Sequence, residues 1–269
     1  MSRISRSFKK LKKNGKKAMI AYIMAGDPTI NATKKYIMEL ESAGADIIEL
    51  GVPFTDPLAD GPTIQRAAER ALKEGVTLKK VLELVSQVRE NVKIPLVLMT
   101  YYNPVFKFGI ETFVKQAVDA GVDGIIVPDL IPEEAGDLID SAKRYKLDTI
   151  FLLAPTSTPD RIKKVVRAST GFIYYVSIIG ITGGKLSMND KMISTLGLIK
   201  EATSKPAVVG FGISMPDEAS TVAALADGIV IGSAIVRLIS EGRDIKDFVQ
   251  SIKEAIDLPS GKTTGNLMQ

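Results

Sequence analysis

Asp46-Ile47-Ile48-Glu49-Leu50-Gly51, running on into Val52-Pro53-Phe54-Thr55-Asp56-Pro57-Leu58-Ala59-Asp60-Gly61-Pro62-Thr63-Ile64-Gln65, is a short apolar run that hands one carboxylate to a Pro- and Gly-rich loop holding two more. Runs of its kind recur along the chain. Segments 19–24, 46–51, 95–101, 123–128, 148–153, 171–177, 206–211 and 227–232 are nearly continuous in Val, Ile and other apolar residues, as strands buried on both faces of a parallel sheet are. Stretches such as 79–89 and 111–120 stand between them with helical spacing. Alternating strands and helices imply parallel pairing. Eight such units with no GxGxxG turn after the first predict an α/β fold, closed as a TIM (β/α)8 barrel over 19–258 rather than left as an open doubly wound sheet.

The chain has neither histidine nor cysteine, which removes disulfides, thiolate zinc sites, Cys nucleophiles and Ser-His-Asp arrangements. Proton transfer near neutral pH then falls to Asp, Glu, Tyr or Lys, and a carboxylate can do it only if its surroundings raise its pKa. Strand alternation puts Ile47 and Glu49 on the face opposite Ile48 and Leu50, so Glu49 points into the barrel near its top, where active sites of this fold lie. A charge there is costly unless it is used or paired, so an acid/base role competes with a structural ion pair. Asp56 and Asp60 follow in a loop stiffened by Pro53, Pro57 and Pro62, although Asp60-Gly61 alone is an ordinary turn signal. The acidic residues do not follow a Ca-loop pattern, and no metal is expected.

Long connections at 52–77 and 178–191 would overhang the same mouth. Late glycines at Gly180-Ile181-Thr182-Gly183-Gly184, Gly210-Phe211-Gly212-Ile213-Ser214 and Gly232-Ser233 end strands six, seven and eight, where barrels hold phosphate on bare N–H groups and a helix N-terminus. Tyr101 and Tyr174 could wall a flat ligand or simply fill the core. The net charge of +4 reflects a crowd of lysines and arginines over 3–17, where Ile4, Phe8 and Leu11 recur at helical spacing. This predicts an extra N-terminal helix over about 2–13 with a solvated basic face, rather than a nucleic-acid contact. No apolar run reaches the ~20 residues a membrane helix needs, so the expectation is a cytoplasmic chain with one barrel domain and a frayed tail over 260–269.

The run from Glu49 to Gln65 resembles the signature of the tryptophan synthase α-subunit family, with Thr55 where Ser is frequent. Ala25-Gly26-Asp27-Pro28, Tyr101-Tyr102-Asn103-Pro104, Gly180-Ile181-Thr182-Gly183, Gly210-Phe211-Gly212-Ile213-Ser214 and Gly232-Ser233-Ala234 match in order, so the similarity spans nearly the whole chain. The resemblance implies a retro-aldol lyase that splits indole-3-glycerol phosphate into indole and glyceraldehyde 3-phosphate. It implies that Glu49 is the acid/base at the ring carbon and the hydroxyl, and that Asp60 holds the indole N–H. Substrate contacts carried over by motif are Tyr22, Tyr101, Tyr174 and Phe211 for the indole, and Gly183, Gly212, Gly232 and Ser233 for the phosphate. Thr182 matches the residue that meets the catalytic Asp on loop closure, whereas Ile178 stands where some members carry Arg. The family further implies no cofactor in this chain and a pyridoxal-phosphate β subunit as partner in an α2β2 tetramer. Two alternatives remain at this stage: another phosphate-binding barrel enzyme acting on a sugar phosphate, and a non-catalytic barrel that only activates a partner.

Overall fold

The computed structural model describes residues 1–176, 190–210 and 212–257. Its strand segments are β1 (Ala18–Met24), β2 (Ile47–Gly51), β3 (Leu96–Met99), β4 (Gly124–Ile126), β5 (Asp148–Ile150), β6 (Leu152–Leu153), β7 (Ile173–Val176), β8 (Ala207–Gly210) and β9 (Gly228–Ile231). All pair in parallel, in the order β5-β4-β3-β2-β1-β9-β8-β7-β6. The two ends of that order are halves of one strand interrupted at Phe151, the first half pairing with β4 and the second with β7. The sheet thus meets itself, and the eight strands expected from the apolar runs are the eight staves of a TIM barrel.

The helices are α1 (Arg3–Lys13), α2 (Ile30–Ser42), α3 (Pro62–Lys73), α4 (Leu78–Val88), α5 (Tyr102–Phe108), α6 (Ile110–Ala120), α7 (Gly136–Tyr145), α8 (Pro159–Ala168), α9 (Asp190–Ala202), α10 (Pro216–Leu225), α11 (Ser233–Ser240) and α12 (Lys246–Asp257). The basic α1 forms as its spacing predicts. Ser2 accepts the Ser5 N–H as N-cap, and Ile4, Phe8 and Leu11 sink into the core while the lysines face outward. Arg3 and Arg89 both pair with the buried Asp123, which ties α1 under the barrel. One boundary differs from expectation. The connection 52–77 is not all loop, because Pro62 opens α3 and Ile64, Ala67, Ala68 and Ala71 bury one helical stripe, leaving only 52–61 as the loop proper.

Aspartates that precede strands have a shared task. Asp46 accepts the Met19 N–H, Asp123 the Leu96 N–H and Asp227 the Ala207 N–H, each at 2.9 Å. Each carboxylate therefore satisfies an amide at the lower end of a neighbouring strand that would otherwise lack a partner, which accounts for the recurrence of Asp at these turns. No helix among the described residues is long and apolar enough to cross a membrane.

Candidate active site

Glu49 lies in β2 opposite Tyr22 of β1 and Val97 of β3. It is 1% exposed, and neither carboxylate oxygen has a hydrogen-bond partner among the described residues. Among the described residues no cation pairs with it, so none of them supplies the structural ion pair that was the alternative reading. Loss of hydration, reinforced by the nearby Asp60 charge, pushes its pKa up to about 8. At neutral pH Glu49 is a buried carboxylic acid with a proton to give.

Asp60 comes from the 52–61 loop and is half-buried. Burial raises its pKa to about 6, opposed by a hydrogen bond from the Tyr101 hydroxyl. The same hydroxyl accepts the Ala59 N–H at 3.0 Å, and the Tyr101 ring stacks on Phe54 at 5.2 Å. Gln65, one turn into α3, donates to the Asp60 carbonyl at 2.8 Å. Farther along that helix, Arg70 grips the buried Asp27 through two hydrogen bonds of 2.6 and 2.7 Å, fixing α3 to the loop after β1. The Asp60 loop is held from both ends, and its carboxylate is ionised at neutral pH while that of Glu49 is not. Two acids with separated pKa values suit one for proton donation and the other for stabilising positive charge. Asp56, the third suspect, is exposed and hydrogen-bonds Thr55, away from the pair.

Tyr22 and Tyr174 are buried beside the acids. Burial, with the Asp60 and Glu49 charges adding for Tyr22 and the Glu49 charge for Tyr174, holds both phenols well above their ordinary range, so both stay neutral. Their positions depend on two glycines whose role is not visible in the sequence alone. A Cβ on Gly51 would lie 2.1 Å from the Tyr22 hydroxyl, and one on Gly210 would lie 2.2 Å from the Tyr174 ring. The signal available in the sequence was a glycine closing each strand, at Glu49-Leu50-Gly51 and Val208-Val209-Gly210. Gln65 and Arg70 carried no signal of their own.

Gly232 is the N-cap of α11 and supplies no side-chain cap, so the first-turn N–H groups of that helix remain available beside the exposed Ser233. Gly212 is exposed, with no atom of the described residues within 4 Å of where a side chain would stand. Thr182, Gly183 and Phe211, together with Ile178, lie outside the described residues, as does the tail over 260–269. Among the described residues no cluster of acidic side chains could hold a metal ion.

Tyr101→Phe isolates one of these contacts. It removes the hydrogen bond that lowers the Asp60 pKa, so the acidic limb of the activity profile moves above its position near 6. A pH profile of kcat/KM measures the displacement, and an unmoved limb would detach Tyr101 from Asp60.

A parallel barrel whose mouth holds a Glu and an Asp with separated, raised pKa values, beside neutral aromatic walls and a helix start without a side-chain cap, belongs to the class of barrel enzymes. The family model described as "Tryptophan synthase alpha chain" matches residues 8–261. A tryptophan synthase alpha chain of Geotalea uraniireducens is 52% identical over 267 residues, covering 97% of this chain and all of the relative, and one of Geobacter sulfurreducens is 51% identical over 262 residues, covering 95% and 99%. Among solved structures, tryptophan synthase from M. tuberculosis in a ligand-free form superposes with a TM-score of 0.88 at 35% identity, covering 96% of this chain and all of the other. Tryptophan synthase subunit alpha from Legionella pneumophila gives 0.87 at 37%, covering 96% and 99%. This chain belongs to the tryptophan synthase alpha chain family. It is a carbon–carbon lyase of tryptophan biosynthesis that cleaves indole-3-glycerol phosphate to indole.

Proposed function

We propose that Glu49 and Asp60 divide the work of this retro-aldol cleavage. Breaking the bond between the indole ring and its side chain requires the ring carbon to accept a proton, which places positive charge on the ring nitrogen. Glu49, protonated at neutral pH, gives that proton. Asp60, ionised, faces the N–H and stabilises the cation more than the neutral substrate, so its attraction is spent on the transition state. The carboxylate left on Glu49 then takes the side-chain hydroxyl proton as the C–C bond opens. The products are neutral indole and the aldehyde of glyceraldehyde 3-phosphate, and Glu49 regains its proton. No step needs a cofactor held by this chain.

On the family resemblance, Tyr22, Tyr101, Tyr174 and Phe211 are assigned to the indole, Gly183, Gly212, Gly232 and Ser233 to the phosphate, and Thr182 to a contact with Asp60. The observation that carries the assignment is that neither oxygen of the buried Glu49 has a partner among the described residues, which leaves the group able to exchange protons with a ligand. Indole release from indole-3-glycerol phosphate by the purified chain tests it. A rise of kcat/KM through about 6, as Asp60 ionises, and a fall above about 8, as Glu49 loses its proton, are expected. A profile flat from 5 to 9 would contradict the division of roles. Gly212→Val meets no atom of the described residues, so it should raise KM with little change in kcat if phosphate rests there. An unchanged KM would remove Gly212 from the phosphate site.

The receiving partner is a tryptophan synthase β subunit carrying pyridoxal phosphate, in an α2β2 tetramer in the cytoplasm. Exposed apolar side chains support a docking face there. Leu58, Phe106 and Ile131 follow β2, β3 and β4, three neighbouring strands, and are 93%, 62% and 38% exposed. The loops bearing them are joined, since Tyr101 holds the Ala59 N–H and Asp129 accepts the Tyr102 N–H at 2.9 Å.

A further inference from the structure

At the opposite end of the barrel from the mouth, a cleft of about 720 Å³ opens between α1, the turn before β7, the turn before β8 and Asp227. Six lysines line it: Lys9, Lys12, Lys16, Lys17, Lys200 and Lys205. Asp227 is the one acidic residue in the lining, and its carboxylate is engaged by the Ala207 N–H. Lys16 pairs with Asp257. Lys17, Lys200 and Lys205 each donate to a backbone carbonyl, of Ala226, Leu225 and Val166, at 2.6, 2.9 and 2.6 Å. These carbonyls lie in the last turn or at the cap of α10 and α8, so capping uses part of each ammonium's donor capacity and cancels none of its charge. The ammonium groups of Lys9 and Lys12 have no hydrogen bond or ion pair among the described residues, and both side chains line the cleft from α1. A concave surface with one sign of charge and low-dielectric walls concentrates counter-ions of the other sign.

We propose that this cleft binds a small organic phosphate, with the phosphate among the lysines and an apolar body against Phe8 and Leu11. Three features select that class. The volume matches that of small-molecule sites. The cations of the lining are all lysines, whose ammonium groups bind phosphate as point charges, and six of them around one concave wall can meet the several oxygens of a multiply charged anion. Phe8 and Leu11 reach the lining through edges left by their packing in the core, where Phe8 meets Phe172 at 5.9 Å between ring centres, and they give an organic group something to cover. Burial also lowers the pKa of Lys17 and Lys205, and for Lys205 no acidic neighbour opposes it, a cost that a bound anion would offset.

The test is an NMR titration of the full chain with inorganic pyrophosphate and with phenyl phosphate, at ionic strength held constant with sodium chloride. Saturating shifts are expected at the amides of Thr170, Gly171, Thr203 and Ser204, with phenyl phosphate also moving Phe8 and Leu11 side-chain signals. Lys12→Gln with Lys205→Gln should weaken binding at least ~10-fold, and Lys9→Gln with Lys12→Gln provides the same test on the exposed helix face if replacing Lys205 disturbs folding. Indole release without added phosphate should be unchanged in either variant. Shifts confined to Gly232 and Ser233 would overturn the proposal while supporting a phosphate site at the mouth. Equal shifts from chloride alone, or affinity unaffected by the lysine changes, would also overturn it and leave the lysines as helix caps. Single-stranded oligonucleotide binding ~10-fold tighter than both phosphates would reassign the cleft to nucleic acid.

Discussion

Glu49→Gln lowers the turnover of indole-3-glycerol phosphate by at least ~10²-fold, with the loss in kcat rather than KM. Glutamine keeps the shape and buries in the same place, but it carries no proton of usable acidity and cannot take one back from the hydroxyl. Steady-state assay of indole release reads the effect, and a near-normal kcat would remove Glu49 from the mechanism. The same variant has a second signature in stability. The folded chain holds a proton on Glu49 up to about 8, whereas the unfolded chain releases it near 4.5, so the native state is favoured most below that range and loses stability as pH rises through it. The loss amounts to a few kcal/mol at most once the pH passes about 8. Glu49→Gln lacks this decline, and denaturant melts across that range should find the variant gaining on the parent chain with each step upward in pH.

Asp60→Asn is expected to cost turnover by a similar or larger factor, about 10² to 10³, for a different reason. The amide still accepts the Tyr101 hydrogen bond and can still meet an indole N–H, so substrate affinity should fall little. What disappears is the negative charge beside a nitrogen that becomes positive only as the reaction proceeds. Asp60 is half-buried, where a charge–charge attraction exceeds its value in water, and the penalty falls on kcat. The variant should also lower the Glu49 pKa, since the Asp60 charge is one of the two influences raising it. The alkaline limb of residual activity would then move to lower pH. A variant that loses affinity but keeps kcat would make Asp60 a binding group only.

The barrel was legible because its evidence is periodic. Short Val- and Ile-rich runs recurring between amphipathic segments leave few arrangements other than a parallel closed sheet, and β1, β2 and β9 lie where those runs lie. Glu49 was legible because it breaks such a run. What surrounds it was not. Gly51 and Gly210 make room for Tyr22 and Tyr174 through contacts between residues 29 and 36 positions apart in sequence, and no local pattern encodes a clearance of that kind. The α3 helix was not legible within the connection 52–77 because its buried stripe is mostly alanine, a weak periodic signal directly behind a Pro- and Gly-rich segment. Arg70 looked like any surface cation on a helix until the fold brought Asp27 to it. The reason for Asp at the strand entrances likewise emerges only when neighbouring strands are in register.

The protonation states of the two acids can be read directly by carboxyl-detected NMR on the chain labelled with 13C at Asp and Glu, titrated from about 4 to 10 and assigned with the Gln and Asn variants. The Glu49 signal should titrate near 8 and that of Asp60 near 6, so that one group holds its proton and the other is charged at neutral pH. A Glu49 signal that titrates at the ordinary carboxylate value of 4.5 would leave no acid at the ring carbon and contradict the proposed proton donor.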